Sequence, residues 1–393
     1  MKRLETILAA AALWFGAVAS VAVAQTANPR NLPPAEYMEL ASSLLEQLIE
    51  IDTTDTERGD NTRAARVVAD ALLEAGFPPE DVHVLVPDGF PTKGNLVARL
   101  RGSDPDAEPI LLLAHLDVVE ALAEDWSPDI PPFEFQERDG YFYGRGTADD
   151  KDECAIHAVN LIRLRREGFV PERDIIIALT ADEESGTRNG VEFLLADHRD
   201  LIDAALALNE GGGGMERDGR KVSNNVQGSE KVFLSFWFRA RNPGGHSSLP
   251  VRENALPQLA EANVNCRLLP GHDPDEVEET LRRLASPFGV EVERRREATP
   301  SPPSPMTGDV LDAIERVTEE MWPGVPVLPV MTTGATDGLY LRNAGIPVYG
   351  VSGIFGDMDD VRAHGRDERI RIDHFHEGQE FLYRLVKALS AAD

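Results

Sequence analysis

The chain is short of cysteine and of positive charge. It has two cysteines in 393 residues, and 39 lysines and arginines against 68 aspartates and glutamates. Two thiols, Cys154 and Cys266, cannot build the clustered thiolate ligands of a structural zinc site. They fall in different predicted domains, so two buried thiols are expected ahead of a disulfide, although an oxidising compartment would permit one. A net charge of −29 argues against nucleic acid or an anionic membrane surface as partner. No apolar run after Val23 is long enough to cross a bilayer. Internal repeats of fixed period are also lacking, which argues against a solenoid or propeller.

The amino terminus carries an export signature. Lys2 and Arg3 precede a mostly apolar stretch over residues 7–23, and Ala22-Val23-Ala24 fits a small-residue cleavage site. Residues 1–24 are therefore expected to be a signal peptide, with an uncleaved anchor as the alternative. The mature product is expected to be periplasmic or secreted, without stable membrane contact.

The remainder alternates helix and strand. Helical spacing of apolar residues predicts helices at 33–51, 62–75, 156–166 and 190–196. Strands are predicted at 95–100, 110–114, 175–179 and 204–208, which is the α/β pattern. The texture changes over 230–298. Strands at 232–239, 262–268 and 290–295 flank a helix at 273–284, with Asp273 as its cap and Pro274 at its first position. The Pro-rich stretch 299–305 marks a boundary, and α/β texture resumes after it. The expected organisation is an α/β catalytic domain in two parts, 25–229 and 299–393, with a small α+β lid, 230–298, inserted between them.

Three consecutive acids, Asp182-Glu183-Glu184, follow the apolar run 175–179. Ligand sites of open α/β sheets lie at the carboxyl ends of strands, and burying adjacent carboxylates is costly without cations or protons. A solvated acidic turn is the alternative reading of the triplet alone. A second buried run ends in His115-Leu116-Asp117. Imidazole is the commonest protein metal ligand near neutrality, and a ligating histidine usually donates its other N–H to a carboxylate, for which Asp117 is placed. Gly144-Arg145-Gly146 leads to Asp149-Asp150, Glu210 precedes four glycines, and His364 and Glu368 come late. Oxygen ligands combined with imidazole suit Zn²⁺, with Co²⁺ or Mn²⁺ also possible.

These segments, in this order, resemble the M20 family of metallopeptidases, which includes carboxypeptidases, dipeptidases and aminoacylases. The resemblance implies a mixed-sheet zinc-peptidase domain flanked by helices, with the small lid inserted, and two zinc ions per subunit. It implies metal ligation by His115, Asp149, Glu184, Glu210 (where Glu replaces the family's Asp) and His364. Asp150 is the alternative to Asp149. Glu183 matches the general base, and Asp117 the acid behind the metal ligands. His246 in Asn242-Pro243-Gly244-Gly245-His246, with Asn254, Arg267, Gly334 and Thr336, resembles the substrate-binding residues. The implied reaction is hydrolysis of the amide bond of a short peptide or an N-acyl amino acid. In many relatives a helix and edge strand between the His246 and Asn254 motifs build a homodimer. Here only residues 247–253 separate the motifs, so a homodimer of that kind is in question. A relative that binds metal or amino acids without catalysis is the alternative function.

Overall fold

The computed structural model describes residues 29–242 and 258–391. The expected signal peptide, His246 and Asn254 lie outside the described residues. The two apolar runs form the strands Ile110–His115 and Ile175–Thr180, buried at every position. They are parallel neighbours, with Ile110 opposite Ile175 and His115 opposite Thr180. Alternate side chains of a strand face opposite ways. Ile110, Leu112, Ile175 and Ile177 therefore join one core with the helices Ala35–Ile49, Asn61–Glu74, Lys151–Arg166 and Ile372–Ser390. Leu111, Leu113, Ile176 and Ala178 join a second core with Gly190–Asp197 and Gly338–Asn343 on the other face. A sheet covered on both faces is why these strands read as unbroken apolar runs. Truncating Leu112 to Ala in such a core costs about 2–5 kcal/mol.

Among the described residues the main sheet has ten strands and is mixed. Its path runs Val82–Leu85, Asn95–Leu100, Ile175–Thr180, Ile110–His115, Leu206–Asn209, Val348–Gly350, Arg220–Glu230, Gly214–Arg217 and Phe355–Asp357, while Val327–Thr332 pairs with Arg220–Glu230. The hairpin Gly214–Arg217/Arg220–Glu230 is not predicted by the sequence pattern. Its longer strand reads Arg-Lys-Val-Ser-Asn-Asn-Val-Gln-Gly-Ser-Glu, too polar for hydrophobic periodicity to reveal. Two helices start five residues before the sequence pattern predicts, Lys151–Arg166 against 156–166 and Ile372–Ser390 against the apolar spacing over 377–389. Lys151–Arg166 is buried almost all round, so no one-sided apolar stripe marks its first turn. Ile372–Ser390 opens with His374-Phe375-His376 in its first turns. His374 is held by the Phe355 carbonyl and Glu216, and His376 by Gln379.

A separate three-stranded sheet places Val232–Arg241 between Leu259–Leu268 and Val290–Arg294. The helix Pro274–Ala285 covers one face over Leu234, Phe236 and Val292. Asp273 caps that helix, accepting from the Asp275 N–H at 2.8 Å. The Pro-rich stretch is fastened rather than loose. Ser304 is buried, its N–H donates to the Gly228 carbonyl and its hydroxyl to the Val348 carbonyl. Both cysteines are free thiols. Among the described residues no helix is long and apolar enough to cross a membrane.

Candidate dinuclear metal centre

Three parallel neighbours, Ile175–Thr180, Ile110–His115 and Leu206–Asn209, end along one edge of the sheet. Their ends deliver the triplet 182–184, His115 and Glu210 to one place. Asp149 arrives on the loop before Lys151–Arg166, and His364 on the loop before Arg369–Arg371. The Asp149 carboxylate lies between the two imidazoles. Its Oδ1 is 3.1 Å from His115 Nε2 and its Oδ2 is 2.9 Å from His364 Nε2. Glu184 Oε1 is 2.7 Å from His364 Nε2, and Glu210 Oε2 is 4.0 Å from His115 Nε2. Donor atoms of His115, Asp149 and Glu184 lie within 4.8 Å of one another, as do those of His115, Glu183 and Glu210.

Asp150 is elsewhere. Its buried carboxylate accepts the main-chain N–H of His115 at 3.1 Å. Asp117 also differs from expectation, because its carboxylate does not hydrogen-bond the His115 ring. His115 Nδ1 faces the Asp117 main-chain carbonyl at 2.9 Å and stands 3.7 Å from the carboxylate. The carboxylate instead accepts the N–H groups of Glu183 and Glu184, at 3.0 and 2.9 Å.

The acidic turn is held by contacts that need no ion. Asp182 has φ 61°, a left-handed conformation that aspartate tolerates better than most residues. Its carboxylate accepts from the N–H groups of Thr187 and Arg188 and from Lys93 Nζ, which also reaches Asp55 at 2.7 Å. Gly186, at φ 116°, leaves room for that carboxylate, since a Cβ there would lie 2.1 Å from Asp182 Oδ2. Asn95 accepts the Ala181 N–H, and Asn189 donates to the Asp182 carbonyl and to Asp337. On the opposite side Glu368 is wholly buried. It accepts from Arg145 and from the N–H groups of Gly146 and Ala148, which braces the loop carrying Asp149. Lys93, Asn95, Asn189 and Arg145 carry no local sign of these roles in the sequence.

The electrostatics fit cations. Burial, followed by the charge of Glu210, pushes the Glu183 carboxyl well above its usual range. Burial, with Asp149 and Glu153 adding, lifts Glu210 to about 8. Burial alone would lower His115, but Asp149, Glu210 and Asp150 outweigh it and hold its pKa well above 6.5. Hydrogen bonds to Asp149 and Glu184 raise His364 to about 10. Burial opposes charge on Asp149, yet the two imidazoles keep its carboxyl below the ordinary range. Carboxyl groups crowded enough to raise one another's pKa, beside two imidazoles, are a donor set suited to dications.

A cleft of about 580 Å³ adjoins this centre. Glu183 and Glu184 line one wall, and Phe233, Arg267 and Arg296 line the other, so the small sheet reaches the site despite its shortness. Arg267 is exposed, stacked over Phe233 at 4.6 Å, and its Nε donates to Asn265. Thr336 lines the cleft, but its hydroxyl donates to buried Glu230 at 3.1 Å and accepts the Gly338 N–H. Gly334 is exposed on the preceding loop, with its carbonyl 3.3 Å from the Thr332 hydroxyl.

A mixed α/β sheet with histidines and carboxylates gathered at its strand ends beside a cleft is the architecture of a metal-dependent amide hydrolase. Residues 111–388 match the family model of peptidase family M20/M25/M40, and the chain belongs to this family of peptidases and amidohydrolases. It is 24% identical over 382 residues to the human N-fatty-acyl-amino acid synthase/hydrolase PM20D1, covering 73% of this chain and 75% of the relative. The M20 family metallo-carboxypeptidase Sso-CP2 of Sulfolobus solfataricus superposes with a TM-score of 0.70 at 16% identity, over 88% of this chain and 98% of that one. The Bacillus subtilis YXEP protein, described as a dinuclear metal-binding peptidase of the M20 family, superposes with a TM-score of 0.60 at 13% identity, over 91% and 99%.

Proposed function

We propose that this chain is a zinc-dependent hydrolase of the amide bond in short peptides or N-acyl amino acids, exported to the periplasm or beyond. The Asp149 carboxylate, shared between His115 and His364, carries this reading, because one oxygen faces each histidine. One ion would be held by His115, Asp149 and Glu210, the other by His364, Asp149 and Glu184. Two imidazoles and three carboxylates suit Zn²⁺, and accept Co²⁺ or Mn²⁺.

Bound ions of this kind acidify water and polarise a carbonyl. The protein's own part is proton handling and orientation. Glu184 is engaged with His364, which leaves Glu183 as the acid facing both His115 and the cleft. Glu183 takes the proton of the attacking water and passes it to the leaving amine nitrogen, so amide and water give carboxylic acid and amine. Asp117 fixes the main chain under both glutamates, which keeps their roles distinct. The human relative is named for N-fatty-acyl amino acids, and the apolar cleft residues Val232, Phe233 and Leu339 are compatible with an acyl or side-chain group. The basic start, apolar stretch and Ala22-Val23-Ala24 support export.

Zinc content and hydrolysis of a panel of dipeptides and N-acyl amino acids test the proposal, with Glu183→Gln as control. Wild type should hydrolyse at least one panel member about 10²–10⁴ times faster than Glu183→Gln at equal metal content. Equal rates for the two proteins across the panel would reject it in favour of a non-catalytic binding protein.

A further inference from the structure

Acids outnumber bases 68 to 39 in this chain, and cations around the cleft mostly sit against carboxylates. Lys93 meets Asp182, Arg342 meets Glu230, and Arg294 meets Glu297. The three cations that line the cleft depart from that pattern: Lys231, Arg267 and Arg296. Among the described residues the Lys231 and Arg296 side chains have no ion-pair or hydrogen-bond partner. Among the described residues the one polar partner of the Arg267 side chain is the neutral Asn265.

The fold brings these three to one end of the small sheet. Lys231 immediately precedes the strand Val232–Arg241. Arg267 pairs in register with Phe233 on that strand. The Arg295 N–H donates to the Ser235 carbonyl at 2.9 Å, which brings Arg296 back beside the same strand end. Across the cleft stand Glu183, Glu184 and Glu192. Tyr340, between the walls, feels both sides. Burial first, then the charges of Glu192, Asp337 and Glu183, lift its hydroxyl to about 12, while Arg296 pulls the other way. Three neighbouring like charges without carboxylate partners repel one another, and a single bound carboxylate offsets only one of them.

We propose that Lys231 and Arg296, beside Arg267, form a subsite for a second anionic group, so that preferred substrates are N-acylated or peptide-bound acidic amino acids bearing both an α-carboxylate and a side-chain carboxylate. This rests on the amide-hydrolase reading above. The subsite also supplies local attraction for a dianion that the overall charge of −29 would repel. Glu230, the buried acid of the cleft floor, does not compete, because Arg342, Thr336 and Gln227 already satisfy it.

The test compares kcat/KM for N-acetylglutamate and its singly charged isostere N-acetylglutamine in wild type, Arg296→Gln and Lys231→Gln. Calorimetric binding of the same two compounds to zinc-loaded Glu183→Gln, with and without Arg296→Gln, forms the second arm. A charge-assisted contact corresponds to about 10–100-fold. Wild type should therefore favour the glutamate compound by at least about 10-fold, less at high salt. Each substitution should cut that ratio several-fold while changing the glutamine rate little. A wild-type ratio near unity, or one unchanged in both variants, overturns the proposal. Selective binding of N-acetylglutamate, lost with Arg296→Gln, together with no turnover by wild type of either compound or of any member of the dipeptide and N-acyl amino acid panel, would uphold the subsite and reject the hydrolase reading. Absence of selectivity in both arms would reject the subsite.

Discussion

Asp117→Asn separates stability from activity in a way that follows from two features of its surroundings. The Asp117 carboxylate is 2% exposed, and burial raises its pKa to about 6 from 3.8, even though it accepts two main-chain N–H groups. Between pH 4 and 6 the folded protein therefore binds more protons at Asp117 than the unfolded chain does. Stability falls as pH rises through that window, and the loss is complete above about 6. A shift of about 2 units corresponds to about 3 kcal/mol. Asparagine has the shape of the neutral acid and does not titrate. In ion-free protein under chelator, Asp117→Asn should match wild type near pH 4 and be more stable by up to about 3 kcal/mol at pH 7. Denaturant unfolding at several pH values measures this. Activity should move the other way. An asparagine oxygen can accept one of the two N–H groups while its NH₂ opposes the other, so the main chain beneath Glu183 and Glu184 loses its anchor. A fall in kcat of about 10²-fold is expected, in line with a misplacement of order 1 Å. A variant clearly less stable than wild type at pH 7 in chelator, or one with unchanged kcat, would refute the reasoning.

Other outcomes follow from the same geometry. Asp149→Asn replaces one of two oxygens that face separate histidines with a group that cannot ligate, so bound zinc should drop from about two ions per chain to one or fewer by elemental analysis; two retained ions would show that Asp149 is not shared. Zinc uptake at pH 7 should release at least about one proton per chain, because the ligands Glu210 and His364 hold protons there. Calorimetry in buffers of different ionisation enthalpy reads the release, affinity should weaken as pH falls, and zero release would count against the site. Lys93→Met leaves the buried Asp182 carboxylate with only two N–H partners and should cost about 3 kcal/mol; a change below about 1 kcal/mol would show that those two suffice.

Local pattern was a good guide where burial is uniform along an element. The strands Asn95–Leu100, Ile110–His115 and Ile175–Thr180 stand where their apolar runs predict them. The polar strand Arg220–Glu230 and the first turn of Lys151–Arg166 escape such reading, because partners from distant segments bury them. The small sheet is legible from alternation and from the Asp273 cap, but its reach into the cleft is not.

The sequence by itself determined the residue types and their order: a histidine and acids placed after buried strands, with no cysteine among them to suggest another metal chemistry. Tertiary structure decided which acid does what. Asp149 and Asp150 are adjacent in sequence, yet one lies between two imidazoles and the other binds the His115 main chain. Glu183 and Glu184 likewise diverge towards different partners. The props under them, Lys93 with Asp182 and Arg145 with Glu368, join positions 89 and 223 residues apart. Apolar periodicity encodes which faces are buried. Pairings of this kind exist only once the chain has crossed itself, because a single buried charge becomes tolerable only when a partner from elsewhere arrives to meet it.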